Sequence, residues 1–164
     1  MAEAMTTERI MITRSACPLV QWDAWDSCSS EFSEFAADRL GGPLPDEVGR
    51  ITPYCTRMVI KAAPRRFWIF APQPEDLPHG LPVALGTELD LSEGRMRLEV
   101  RTPRLRDVLA QCLAIDWDET LNRAAFAKMH RIPVMFSRNS ADEGAFVVPR
   151  TFAQSIHEWL EDCL

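Results

Sequence analysis

Three segments of the chain carry apolar residues at helical spacing, three or four positions apart. In the first, the apolar residues lie between the serine pair at 29–30, which can cap a helix, and Gly41-Gly42, a common stop signal. Thr102 can cap a second helix that begins at Pro103. Thr151 and Gln154 match a capping box for the third. The predicted stripes consist of Phe32, Phe35, Ala36 and Leu40; Leu105, Val108, Leu109 and Cys112; and Phe152, Ile156, Trp159, Leu160 and Cys163.

Other apolar runs predict strands. Residues 54–62 and 66–71 are rich in β-branched and aromatic side chains and are joined by a short Ala-Pro-Arg turn. Residues 88–91 and 96–101 alternate apolar with polar side chains about a Ser-Glu-Gly turn. This alternation predicts a hairpin with one apolar face.

The second half of the chain adds two more strands, at residues 132–137 and 145–149. Prolines between residues 72 and 86 exclude a long helix there, so we expect a loop with a short helical turn. Residues 118–130 fit a helix, a loop or a strand. Helices and adjacent antiparallel strands without regular strand-helix alternation indicate an α+β fold, with a mostly antiparallel sheet and three main helices.

The length of 164 residues is typical of one domain. We interpret residues 1–14 as a flexible N-terminal segment and residues 15–164 as the folded domain. The net charge of −6 disfavours binding to nucleic acid or to an anionic membrane surface. No apolar run approaches the roughly 18 residues of a membrane span, and no signal region is evident, so we expect a soluble, cytoplasmic protein.

The motifs of common reaction centres are absent from the sequence. It contains no glycine-rich phosphate loop and no nucleophile elbow. Its three histidines and five cysteines show no spacing typical of a metal site or a catalytic pair. The acidic run at residues 116–119 is better explained by capping than by metal ligation. We therefore predict no catalytic, cofactor-binding or metal-ligating residue on this chain.

Two sets of residues are candidates for contact with a partner. Arg95, Arg97 and Arg101 share one face of a predicted strand, where they form either a solvated surface or a grip for carboxylates. Trp22, Trp25 and Trp117 lie outside the periodic stripes beside acidic residues. These tryptophans are either half-buried loop anchors or anchors for another subunit.

An ordered series of short motifs resembles the gamma subunit family of heterotetrameric sarcosine oxidase. The series spans residues 15–164, and its most distinctive members are the DLSEGR turn and the VPRTF ending. The motifs are LGGPLP at 40–45, RFWIFAP at 66–72, DLSEGR at 90–95, PRLRDVLA at 103–110, IDW at 115–117, IPVM at 132–135 and VPRTFAQSIHEWL at 148–160.

The resemblance implies a fold similar to the folate-binding domain of aminomethyltransferases. It also implies a bacterial complex in which large (alpha), flavin-bearing (beta) and small (delta) subunits accompany this chain. FAD, covalently held FMN, NAD and tetrahydrofolate are implied for the complex, and no cofactor is implied for this chain. Its role in the oxidation of sarcosine or a related N-methyl amine would then be structural.

Two other functions are compatible with the sequence. An independent folate-binding one-carbon module is suggested by analogy of fold alone. A small regulatory domain that binds an acidic metabolite through Arg95, Arg97 and Arg101 is suggested by their shared strand face.

Overall fold

The computed structural model describes residues 10–163, which form ten strands and three α-helices. The helices are α1 (Ser29–Leu40), α2 (Leu105–Cys112) and α3 (Ala153–Asp162). The strands are β1 (Met11–Ala16), β2 (Leu19–Ala24), β3 (Ile51–Tyr54), β4 (Arg57–Ala63), β5 (Arg66–Phe70), β6 (Gly86–Asp90), β7 (Arg95–Arg101), β8 (Ala125–Met129), β9 (Ile132–Arg138) and β10 (Glu143–Pro149).

The strands form two five-stranded antiparallel sheets. Sheet A has the order β1-β7-β10-β9-β8, and sheet B has the order β3-β4-β5-β2-β6. Neighbouring strands in both sheets run antiparallel. This architecture confirms the α+β prediction.

Three apolar clusters show how the layers stack. Leu98, Phe146 and Val148 of sheet A pack with residues of α2 and α3, and Val20, Trp22 and Ile69 of sheet B pack with α1. A third cluster joins the two sheets, because it contains side chains from both. Its members include Leu19, Ile60, Trp68 and Phe70 of sheet B with Met135 and Val147 of sheet A. The two sheets therefore lie face to face, with α2 and α3 on the outer side of sheet A and α1 on the outer side of sheet B.

The predicted hairpin over residues 88–101 is wrong. β6 pairs with β2 in sheet B, whereas β7 pairs with β1 and β10 in sheet A. A turn of 3-10 helix at Ser92–Gly94 separates them. The Leu19 N–H donates to the Ser92 hydroxyl at 3.1 Å, and the Leu91 N–H donates to the Leu19 carbonyl at 2.8 Å. These contacts hold the turn against β2, so the chain crosses from one sheet to the other.

The predicted flexible segment 1–14 is too long. Residues 11–16 form β1, in which Met11 pairs with Arg101 and Ala16 with Met96. Most side chains of β1 are exposed, so its sequence lacks the alternation that marks a half-buried strand. Residues 1–9 lie outside the described part of the chain.

The helix ends agree only in part with the predicted signals. α1 ends at Gly41, whose φ of 84° is the left-handed cap conformation and whose N–H donates to the Ala37 carbonyl at 2.9 Å. α3 lacks the predicted capping box and instead follows a turn of 3-10 helix at Arg150–Phe152. The Gln154 amide contacts Glu158 within the helix. The open question over residues 118–130 is resolved as a loop followed by β8.

Candidate functional site

Trp22 is a core residue, so its predicted role as a partner contact is wrong. Its side chain is fully buried and packs edge-on against Phe32, with ring centroids 6.4 Å apart. The indole N–H donates to Glu88 Oε2 at 3.1 Å. β2 is covered on both faces, by α1 and by sheet A, which the sequence pattern around Trp22 did not reveal.

Glu88 organises the loop that covers Trp22, although sequence reasoning missed it. Its Oε2 accepts the backbone N–H groups of Gly80 and Leu81, each at 3.0 Å. Its Oε1 lies 3.0 Å from Nδ1 of His79. Burial acts to raise the pKa of Glu88, but the hydrogen bonds from Leu81, His79 and Trp22 outweigh it, so the pKa lies below its ordinary value of 4.5. The carboxylate thus fixes residues 79–81 against sheet B.

We expect Glu88→Gln to destabilise the protein by about 1–3 kcal/mol at pH 7, because several donors lose a charged acceptor. A lowered folded-state pKa contributes stability above the ordinary pKa, and that contribution is lost as pH falls through the folded value. The difference between wild type and variant should therefore shrink below about pH 4.5. Urea unfolding at several pH values measures it. Glu31→Gln, at an exposed position of α1, is the control, and a pH-independent difference would contradict the expectation.

Trp25 is the exposed tryptophan of the predicted set. Its side chain is 43% exposed, and its indole N–H donates to the Val83 carbonyl at 2.8 Å. The Trp25 backbone N–H donates to the Leu85 carbonyl at 3.0 Å, which fixes the ring on the turn after residue 82. Val83 beside it is 87% exposed. The two side chains make a rigid apolar projection, which is compatible with the predicted subunit contact.

The three arginines of β7 lie on one face but have different partners. The guanidinium of Arg95 lies 5.4 Å from the Trp68 ring centroid, and burial lowers its pKa. Arg97 Nε donates to Glu99 Oε1 at 3.0 Å, and Arg101 forms an ion pair with Glu143. Arg97 and Arg101 line an open cleft of about 270 Å³ with both carboxylates, so its charges balance. Nothing in this arrangement favours an acidic metabolite.

Trp117 is half-buried and is fixed by Arg138, which sequence reasoning did not single out. The Arg138 side chain is only 8% exposed, and its guanidinium lies 4.2 Å from the Trp117 ring centroid. Arg138 Nη2 donates to the Trp117 carbonyl at 3.2 Å, and Nε donates to the Thr120 hydroxyl at 2.9 Å. A buried arginine thus holds the loop before β8. This contact supports the loop-anchor interpretation of Trp117 and leaves its subunit contact as a prediction.

Two of the five thiols, those of Cys17 and Cys112, are poor nucleophiles. Burial raises the pKa of Cys17 to about 11. Burial and the neighbouring Cys163 raise the pKa of Cys112 to about 12. Within residues 10–163, no three His, Cys, Asp or Glu side chains are grouped so as to hold a metal ion. None of the helices in this range has the length and hydropathy needed to span a bilayer.

Comparison of folds shows what the architecture resembles. A chain of heterotetrameric sarcosine oxidase from Corynebacterium sp. U-96, in complex with pyrrole 2-carboxylate, superposes with a TM-score of 0.81 over 96% of this chain and 85% of that one. The fold is that of a sarcosine oxidase chain. Sequence identity is 23%, so the likeness concerns the fold. The resemblance drawn from the sequence motifs is confirmed at this level.

The same fold occurs within a larger protein. The glycine cleavage system aminomethyltransferase T from Bartonella henselae matches with a TM-score of 0.61 and 16% identity. The match covers 94% of this chain and only 46% of the aminomethyltransferase. The predicted relation to folate-binding domains of aminomethyltransferases is therefore confirmed as a relation of fold. No protein-family model and no curated protein sequence matches the chain.

Proposed function

We propose that this chain is the small, non-catalytic subunit of a multi-subunit flavoenzyme that oxidises sarcosine or a related N-methyl amine. The observation that carries the proposal is the superposition on a sarcosine oxidase chain, which covers 96% of this chain and 85% of that one. A chain that shares its fold over most of its length with one component of a heterotetramer fits the same architectural place in a related assembly.

The chemistry is assigned to the companion subunits. In the proposed complex, a flavin-bearing (beta) chain oxidises the amine to an iminium, and a large (alpha) chain transfers the one-carbon unit to tetrahydrofolate. FAD, covalently held FMN and NAD belong to those chains, a delta subunit completes the assembly, and the complex is cytoplasmic. The present chain stabilises the large subunit's surface and carries no cofactor.

The contacts of the charged side chains support the assignment of the chemistry to the companion subunits. Glu88 accepts hydrogen bonds that fix a loop, and Arg138 holds another loop through main-chain and hydroxyl contacts. Arg97 and Arg101 are paired with carboxylates on their own sheet. Each of these groups stabilises local structure, which is what an architectural subunit requires of its polar residues.

Purification of the chain alone and with its companions tests the proposal. We expect the isolated chain to be colourless and to lack amine oxidation, because no flavin is assigned to it. Co-expressed with the proteins encoded by adjacent reading frames, an affinity-tagged chain should retain a flavin-bearing partner in stoichiometric amount. Failure to retain that partner, or turnover by the isolated chain, would contradict the proposal.

A folate-binding one-carbon module is the second candidate, because the fold also matches about half of an aminomethyltransferase. Titration of the isolated chain with tetrahydrofolate, followed by tryptophan fluorescence, distinguishes the candidates. Saturable binding favours the folate module. The architectural proposal expects no saturation up to about millimolar ligand, where binding is worth only about 4 kcal/mol.

A further inference from the structure

The outer edge of β8 presents unpaired backbone groups. β8 is the last strand of sheet A and joins β9 through a two-residue turn at His130 and Arg131, both at positive φ. In such a hairpin the flanking pair, Met129 and Ile132, is hydrogen-bonded, and bonded pairs alternate along the ladder. Phe126 and Lys128 therefore direct their N–H and C=O groups away from β9.

The residue before β8 shows how this edge is used. Ala124 lies two residues before Phe126, so its backbone groups also point away from β9. Its N–H donates to the Gly49 carbonyl at 2.8 Å. An isolated bridge between Arg50 and Arg123 continues the contact. The chain thus covers its own edge as far as residue 124. Within residues 10–163, no hydrogen bond reaches the backbone groups of Phe126 or Lys128 from this side.

The side chains along this edge favour pairing with another strand. Phe126 is 38% exposed and rests edge-on against Trp68, with centroids 5.4 Å apart. Charges and prolines commonly protect edge strands from pairing. The β3 edge contains Pro53, and the outward positions of β6 include the acidic residues Glu88 and Asp90. The Ala-Phe-Ala run of β8, by contrast, is protected only by Lys128.

Charge indicates the kind of segment that fits. Lys128 and Arg131 are exposed and form no ion pair with any carboxylate among the described residues, although the whole chain carries a charge of −6. Two neighbouring cations beside open backbone groups complement an acidic residue on an incoming strand. Phe126 complements an apolar one.

A second copy of this chain fits the edge poorly. An antiparallel register that pairs Phe126 with Lys128 of the copy places the copy's hairpin turn where residues 49–50 already lie. The register that avoids this clash sets Lys128 of one copy directly opposite Lys128 of the other. Like charges that face each other across two strands are destabilising.

We propose that the outer edge of β8 receives an extended segment of a companion subunit, in the manner of strand addition. The segment pairs with the backbone of Phe126 and Lys128, covers the Phe126 ring with an apolar side chain, and sets an acidic side chain beside Lys128 and Arg131. This inference rests on the proposed function for the identity of the companion.

Proline at position 128 tests the inference, because it removes an outward N–H while leaving the bonds to β9 in place. Arg14→Pro is the matched control on the opposite edge of sheet A. Just beyond β7, the Thr102 N–H donates to the Asp142 carbonyl, which directly precedes β10. Alternation along β7 therefore directs the backbone groups of Thr13 toward β7 and those of Arg14 outward. Both variants replace an exposed cation by proline at an outward edge position. Each is co-expressed with the companion subunits, and binding to the purified remainder of the complex is measured.

We expect Lys128→Pro to bind about tenfold more weakly than wild type, as the loss of a hydrogen bond and an ion pair implies, and Arg14→Pro to bind normally. Lys128→Glu, which keeps the N–H and reverses the charge, should also weaken binding. Hydrogen exchange at residues 126 and 128 should slow in the complex. Normal binding by both position-128 variants would overturn the edge assignment alone. A wild-type chain that fails to bind would overturn the proposed function as well.

Discussion

Replacement of Phe146 by alanine is expected to lower the free energy of unfolding by about 3–5 kcal/mol, as for other large-to-small core changes. Phe146 is fully buried in the centre of sheet A, and its ring centroid lies 4.8 Å from that of Phe136. Its cluster includes side chains of α2 and α3, so the cavity would loosen both helices from the sheet. Since domains of this size are stable by about 5–15 kcal/mol, the loss is a large fraction of the total.

Urea denaturation followed by circular dichroism measures this effect. Phe152→Ala removes the same side chain from a position that is 44% exposed, and we expect it to change stability by less than about 1 kcal/mol. Similar losses for the two variants would contradict the assignment of Phe146 to the core between sheet A and its helices.

Arg138→Met is expected to destabilise the protein by about 2–3 kcal/mol, because hydrogen bonds from a charged donor are lost and one of their acceptors, the Thr120 hydroxyl, is fully buried. The Thr120 hydroxyl and the Ser140 carbonyl would lose the guanidinium as a donor. The Trp117 carbonyl would keep only its hydrogen bonds from the N–H and hydroxyl of Thr120. The Trp117 ring would also lose the guanidinium stacked on it. Because methionine keeps much of the apolar stem of arginine, the loss of stability measures the contribution of the guanidinium group.

Limited proteolysis adds a local readout for Arg138→Met. We expect cleavage within residues 114–123 to become faster, because the side chain that ties this loop to β9 is missing. Arg106→Met, at an exposed position of α2, is the matched control and should leave both stability and cleavage unchanged. An equal response of the two arginines would show that the loop does not depend on Arg138.

Local signals in the sequence were sufficient to locate the three helices, although not all of their ends. The stripe from Phe32 to Leu40 and the stop at Gly41 predicted α1 and its C-terminal end, because both signals act within a few residues, whereas the serine pair predicted as its cap lies inside the helix. The same holds for the proline-rich loop, in which a 3-10 turn at Pro74–Asp76 is the only helical element described. Such features depend on neighbours in sequence, which are visible without a structure.

Strand partners were not predictable by the same reasoning. The alternation in residues 88–101 correctly indicated two strands, but Leu89 on the predicted apolar face of the first is 53% exposed, and the pattern contained no information on which strand each would pair with. The pairing is set by tertiary contacts instead. Hydrogen bonds of Leu91 and Ser92 with Leu19 hold the turn after β6 against β2, and the chain then crosses to the other sheet. β1 was missed for a related reason: its pairing with β7 defines it, while its own residues are mostly exposed.

In the candidate site, too, some residues could be predicted from local patterns and others could not. The exposed Trp25 and the shared face of the β7 arginines could be anticipated from local patterns. The burial of Trp22 could not, because it depends on α1 and on a loop fixed by a carboxylate 66 positions later in the chain. Arg138 was missed because an arginine at the end of an apolar strand carries no sign of burial in its sequence.

Native mass spectrometry of the complex purified through a tag on a companion subunit tests the central claim most directly. If the chain is an architectural component, controlled dissociation should release an 18.6 kDa species without bound flavin, from a particle that also contains flavin-bearing chains. A particle that carries its full flavin content and its other subunits but never includes the 18.6 kDa chain would contradict the account.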